Sequence, residues 1–326
     1  MYLPLVRQLA KLGRHVLWAN SRYRGADYAL IMEKVACDLG EAICDATERL
    51  GYSNIVLAGW SGGGSLMMWY QALAEAGAGI SDTAAGDPYT VAASRLPAAS
   101  SIIMLAAHVS RHRIFTEWLD PSISDESQPN LRDVQLNLYD AGNPNQPPYS
   151  ADFLERFAQA QVARNRRITA WVKEKLAVIR SSDSPWSEFA FTVHGTMADP
   201  RWLDPSIEPS DRKAGSCYLG DPQIVNDGPV GLARFCTLRS WLSQWSYDDA
   251  RCDAIASGSR ISVPVLVIGN SADDACTPSH TQRLYDAVTH EQKQMHVVKG
   301  ATHYYTGVKG AEHMAEACGV IEKFLA

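Results

Sequence analysis

Apolar residues recur along this chain in two rhythms, and the pattern is interrupted once. "MYLPLVRQLAKLG" spaces its apolar residues around Arg7 and Lys11, which predicts an amphipathic helix closed by Gly13. "RHVLWAN", from Arg14, predicts a short strand. Ile31, Val35, Leu39, Ile43, Ala46 and Leu50 then share one face of a helix ending at Gly51. Asn54–Ala58 reads as a buried strand and Ser65–Ala76 as a helix; after a loop rich in Gly, Asp and Pro, "SIIMLAAH" (101–108) is a near-continuous apolar strand. Buried strands alternating with amphipathic helices predict an α/β fold whose mostly parallel sheet is covered by helices on both faces.

From about Val109 to Ala250 the rhythm changes. Asp-Pro and Pro-Pro turns break up helical pieces such as Phe153–Ile179, and no strand of the buried type stands out. "LDPS" occurs at Leu119 and again at Leu203, which turn chemistry explains better than duplication. The alternation returns with a strand in "VPVLVIGN" from Val263, a helix Ser279–Val288, a strand in "KQMHVVKG" from Lys293 and a helix Glu312–Phe324. The expected organisation is one α/β core built from residues 1–108 and 251–326, with a largely helical block, 109–250, inserted between them.

Against this background "NIVLAGWSGGGSLMMWY" (54–70) stands out. Glycine costs roughly 1 kcal/mol relative to alanine in a helix, yet Gly62, Gly63 and Gly64 stand where a helix should start. A tight strand-to-helix turn explains them. It brings the entering strand and departing helix nearly into contact, so side chains two places either side of Ser61, at Gly59 and Gly63, would clash. The spacing G-x-S-x-G (Gly59, Trp60, Ser61, Gly62, Gly63) fits a nucleophile elbow, a strained turn that pushes the serine hydroxyl out above the sheet. A phosphate loop would need a lysine after the glycines, and the dinucleotide pattern G-x-G-x-x-G is absent here.

A serine hydroxyl needs a base to remove its proton, and the base needs a third group to hold its tautomer and orientation. In a doubly wound sheet such groups project from loops at the carboxyl ends of strands. His303, in "KGATHYY", lies just beyond the strand ending near Lys299. In "VIGNSADDACTP", Asp273 and Asp274 follow the strand ending at Ile268. Counting from the strand end favours Asp273 as the acid; counting back from Pro278 favours Asp274.

With serine, acid and histidine in that order, the sequence resembles the α/β-hydrolase superfamily. The resemblance covers roughly residues 1–108 and 255–326. It implies an α/β-hydrolase fold in which 109–250, inserted after the sixth family strand, forms a cap or lid. It also implies a catalytic triad of Ser61, Asp273 and His303, with Gly62 supplying one oxyanion-hole amide. Some hydrolases carry the acid after the preceding strand, but "AAHVSRHRIF" has no carboxylate before Glu117. About three family strands precede the first helix seen here, so N-terminal strands, a second oxyanion-hole donor and any signal peptide are expected to be missing from the chain as given. The implied activity is a carboxylesterase-like serine hydrolase; lactonase or carbon–carbon hydrolase chemistry on the same triad, and a non-catalytic binder of small ligands, are the alternatives.

Composition narrows the setting. The 326-residue chain has a net charge of −6 and a pI near 5.8, with no basic stripe for nucleic acid. Seven scattered cysteines without C-x-x-C spacing argue for free thiols, a reducing compartment and no structural zinc. Nothing approaches a membrane span of about 20 apolar residues, so the cytoplasm is the expected location. A small-molecule substrate is the expected partner, homo-oligomerisation is left open, and no metal or cofactor is required. The insertion holds six of the nine tryptophans (Trp118, Trp171, Trp186, Trp202, Trp241, Trp245), which with Trp60 would line an aromatic substrate pocket or else form cap core. Arg111, His112 and Arg113 follow a core strand; a solvated surface is the favoured reading, contact with a substrate carboxylate the alternative.

Overall fold

The computed structural model describes residues 4–182 and 187–326. In chain order its elements are α1 (Pro4–Lys11), α2 (Met32–Cys44), β1 (Val56–Trp60), α3 (Gly62–Ala76), β2 (Ile80–Asp82), β3 (Pro88–Val91), β4 (Ser101–Leu105) and α4 (Arg111–Trp118). There follow α5 (Ala151–Ser181), β5 (Ala190–Thr192), α6 (Pro200–Leu203), α7 (Pro222–Asp227), β6 (Phe235–Thr237) and α8 (Leu238–Gln244). The chain ends with α9 (Ala254–Gly258), β7 (Val265–Asn270), α10 (Pro278–Ala287), β8 (Lys293–Val298) and α11 (Gly310–Phe324).

The main sheet has the order β1-β4-β7-β8, and all its pairings are parallel. Side-chain alternation along its inner strands explains why helices must cover both faces. On one face Ile103 and Leu105 of β4 and Leu266 and Ile268 of β7 pack with Leu5 and Leu9 of α1 and Ala317 and Ile321 of α11. On the other, Ile102 and Met104, Val265 and Val267 meet Met68 and Ala72 of α3 and Leu284 of α10. Trp60, Leu105, Ile268 and His296 stand in register across the sheet, so the loops after the four strands open at one edge.

"RHVLWAN" forms no strand, which corrects the sequence reading. Val16, Leu17 and Trp18 are exposed, and among the described residues no strand pairs with the free edge of β1. Apolar content alone does not make a strand; a partner's backbone must accept and donate its hydrogen bonds. The helix expected over 31–50 is regular to Cys44 and ends in a wider turn, Asp45–Arg49, which leaves Leu50 exposed.

Residues 109–250 supply most of two further apolar clusters, which also take in Ala85 and, beyond β7, Ala275 and Cys276. One joins Phe115 of α4, Ile168, Val172 and Leu176 of α5 and Trp241 and Trp245; another joins Trp118 and Trp202. These four tryptophans are therefore packing residues. Trp171 is partly exposed beside Phe189 and Phe191, and Trp186 lies outside the described residues. Both "LDPS" segments make the same turn: the carboxylate of Asp120 accepts from the amide and hydroxyl of Ser122, and that of Asp204 from those of Ser206. Two short antiparallel pairs, β5 with β6 here and β2 with β3 in the stretch expected to be a loop, are strand structure that the sequence reading lacked. Among the described residues no helix is long and apolar enough to cross a membrane.

A buried polar joint ties α8 to the core. Ser243 Oγ accepts from Met32 N and donates to Glu33 Oε2, both at 2.8 Å, while Gln244 Nε2 donates to the carbonyl of Leu30 at 2.9 Å. Burial pushes the Glu33 carboxyl above its ordinary range. Ser243→Ala strands two buried polar groups, so it is expected to cost about 2 to 4 kcal/mol in chemical unfolding; a loss under about 0.5 kcal/mol would contradict this joint.

Candidate active site

Ser61 occupies the step from β1 into α3. Its backbone sits at φ 50°, ψ −118°, a conformation that costs a non-glycine residue about 1 to 3 kcal/mol and persists where the surroundings enforce it. Ser61 N donates to Leu105 O at 3.0 Å, which pins the turn to the neighbouring strand. Serine at a helix N-cap ordinarily accepts a backbone amide with its side chain. Ser61 does not, so its hydroxyl is left for other work. Gly62 opens the helix, and its N–H is one of the amides with no intrahelical partner.

The glycines divide their roles differently from the sequence reading. A Cβ on Gly59 would overlap the backbone of Gly63 and Gly64, the nearest nitrogen at 2.6 Å, and one on Gly64 would overlap the side chain of Ala107. One on Gly63 would meet nothing within 4 Å. The close approach is thus made at Gly59 and Gly64, and Gly63 is spared because it presents its backbone, not its Cβ position, to the strand.

His303 and Asp273 come together as buried partners: His303 Nδ1 lies 2.8 Å from Asp273 Oδ2. The other carboxylate oxygen accepts the amides of Ala275 at 2.8 Å and Cys276 at 2.7 Å, which fixes the acid's orientation. Burial disfavours a charged imidazole, but the Asp273 charge and hydrogen bond outweigh it and hold the His303 pKa above its ordinary value. Asp274, the competing acid, makes no such bond; burial and then the neighbouring Asp273 push its carboxyl up to about 6.

Ser61 and His303 are not hydrogen-bonded in this structure. The Ser61 hydroxyl lies 3.9 Å from Cys276 Sγ, and that sulfur, an imidazole nitrogen of His303 and a carboxylate oxygen of Asp273 all lie within 4.8 Å of one another. Burial drives the Cys276 thiol well above its ordinary range, so it is a protonated thiol and not a rival nucleophile. The same cluster is the one group of potential metal ligands among the described residues. Two of its members are bonded to each other, His303 Nδ1 to Asp273 Oδ2, and the other Asp273 oxygen accepts two amides. Trp60 is half-buried, its ring edge-on to those of Tyr305 at 5.4 Å and His303 at 6.3 Å.

Two further residues stand beside Gly62: His108, which the sequence reading passed over, and Arg111, for which it gave substrate contact only as the alternative. His108, three residues past β4, is buried, and its Nε2 lies 3.2 Å from where a Gly62 Cβ would stand; Arg111 Nε and Nη2 lie 3.4 Å from that point. The triplet after β4 is consequently not the solvated surface that was favoured. His112 is buried 3.4 Å from Asp253, and Arg113 pairs with the same carboxylate at 2.7 Å. The available signal was the apolar strand "SIIMLAAH" itself, whose terminal histidine and following arginine emerge beside the elbow.

No protein-family model matches the chain, and no curated protein matches it in sequence. Solved structures do resemble it. A monoacylglycerol lipase from Paleococcus ferrophilus matches at 14% identity over 90% of this chain and 76% of its own, with a TM-score of 0.41. A metagenome-derived lipolytic enzyme matches at 12% identity over 98% and 86%, TM-score 0.43. An α/β-fold hydrolase from Bacillus anthracis matches at 14% over 90% and 74%, TM-score 0.38. Likeness this distant bears on neither substrate nor residue roles.

The glycine geometry separates two substitutions that a motif treats alike. Gly59→Ala is expected to destabilise by about 3 kcal/mol or more, whereas Gly63→Ala stays within about 1 kcal/mol of the parent in urea unfolding. Equal losses would contradict the packing described for the elbow.

Proposed function

We propose that the protein is a serine hydrolase of the α/β-hydrolase type, cleaving an ester-like bond in a small to medium hydrophobic or aromatic substrate. The observation that carries this reading is Ser61: a serine held in a costly backbone conformation at a helix N-cap, with its hydroxyl withheld from capping.

In this reading Ser61 Oγ attacks the carbonyl and His303 takes its proton. The carbonyl oxygen becomes the oxyanion, facing the free Gly62 amide at the positive end of α3. His303 then gives the proton to the leaving alcohol as the carbon–oxygen bond breaks, leaving an acyl-enzyme on Ser61. A water repeats the cycle and releases the acid. Asp273 keeps the imidazole in the working tautomer and stabilises its charged form. Trp60 buttresses His303 and flanks the substrate, and residues 109–250 act as the cap. His303 must swing or the substrate must displace the Cys276 contact for serine and histidine to meet; catalytic hydrogen bonds often tighten only in the substrate complex.

A non-catalytic small-ligand binder is the second reading, and the missing Ser61–His303 bond is the observation in its favour. Ester hydrolysis decides between them. Ser61→Ala and His303→Ala are each expected to lower kcat/KM for aryl esters by at least about 10³-fold. Because His303 works as a base only when neutral, kcat/KM should fall with acid through a midpoint above 6.5, the ordinary imidazole value. Asp274→Asn removes one of the charges raising that midpoint, so it should move to lower pH. A protein with no ester turnover, or an acid limb indifferent to Asp274, would count for the second reading or against these roles.

A further inference from the structure

Arg111 stands apart from the other enclosed arginines by its place beside the elbow: Arg212 and Arg234 also lack a carboxylate partner, but they donate to several backbone carbonyls. Arg164 pairs with Glu126 at 2.7 Å, and Arg201 with Asp199 at 2.6 Å and Glu117 at 2.7 Å. Arg111 meets no carboxylate at ion-pair distance among the described residues. Its Nη1 is anchored on Gln244 Oε1 at 2.9 Å, and its guanidinium lies 5.6 Å from the centre of the Trp245 ring. Its Nε is sealed from solvent without a hydrogen-bond partner. Gln244 is itself held by two backbone carbonyls, so the anchor is fixed.

The free edge, Nε and Nη2, is the pair of parallel donors that a carboxylate takes bidentately, and both atoms stand beside Gly62, next to the nucleophile. His108 lines the same spot; burial and then the Arg111 charge keep its ring neutral, and its Nδ1 has no partner. Trp60, Ser61, Gly62 and Arg111 each keep part of their surface open, so this spot borders the exposed side of the elbow.

We propose that this spot binds a carboxylate of the substrate, clasped by the Nε and Nη2 donors of Arg111 with His108 alongside. A transient oxyanion is the weaker candidate. Enclosing a cation without a counter-charge is costly in every resting molecule, and a permanently charged substrate group offsets that cost on binding, whereas an oxyanion exists only during turnover. The inference rests on the hydrolase reading only in calling the ligand a substrate.

Calorimetry on the Ser61→Ala protein, which cannot form an acyl-enzyme, tests it without turnover. The probes are monobenzyl succinate, an anion, and its neutral twin benzyl methyl succinate. The anion is expected to bind at least about 10-fold more tightly, and Arg111→Met should erase that preference. Arg111→Lys keeps the charge but not the fork, so it should lose about threefold or more; it also serves if the Met variant does not fold. Equal binding of the two probes, no binding of the anion, or a preference untouched in either variant would overturn the proposal. Failure of the hydrolase reading shows separately, as absent ester turnover in the parent.

Discussion

The site depends on one close approach, that of α3 to β1. Because Gly59 and Gly64 carry no side chains, the helix begins almost on top of the strand it follows. Ser61 is then forced to φ 50° between them. The strain is local, but its support is not: β1 is fastened to β4 residue by residue, and the Ser61 amide itself reaches Leu105. Everything proposed for the chemistry needs that serine held up with its hydroxyl free, and the sheet and its glycines hold it there.

The parallel register then determines who can join it. With Trp60, Leu105, Ile268 and His296 level across the sheet, successive loops reach the same edge from neighbouring strands. The loop after β4 brings His108 and Arg111, the loop after β7 brings Asp273 and Cys276, and the loop after β8 brings His303. Electrostatics sorts them. The imidazole next to a fixed carboxylate has its pKa held above its ordinary value in spite of burial, whereas burial, with the nearby guanidinium adding to it, holds that of the other well below. Two histidines of similar burial at one edge therefore take opposite characters.

Much of this was legible in the sequence, because the decisive signals were local. Near-continuous apolar runs marked β4 and β7, and glycines placed against helix propensity marked the elbow. Counting from the end of β7 selected Asp273 as the residue that meets His303. What stayed hidden depended on partners distant in the chain. "RHVLWAN" has strand composition, but among the described residues it joins no sheet. Gly63 and Gly64 look equivalent until the direction of each missing Cβ is known. Arg111, His112 and Arg113 look like one charged run, yet the Asp253 carboxylate pairs with Arg113 and lies against His112 from 140 residues away and leaves Arg111 without a carboxylate partner among the described residues. The fate of the tryptophans between 109 and 250 was equally non-local, since only the folded chain shows four of them packed in apolar clusters.

The central claim is that Ser61 is an activated nucleophile, and intact-protein mass spectrometry after incubation with a fluorophosphonate tests it most directly. The account predicts a single phosphonyl adduct on the parent protein that disappears in both Ser61→Ala and His303→Ala. No adduct on the folded parent, or one that survives loss of Ser61, would contradict it.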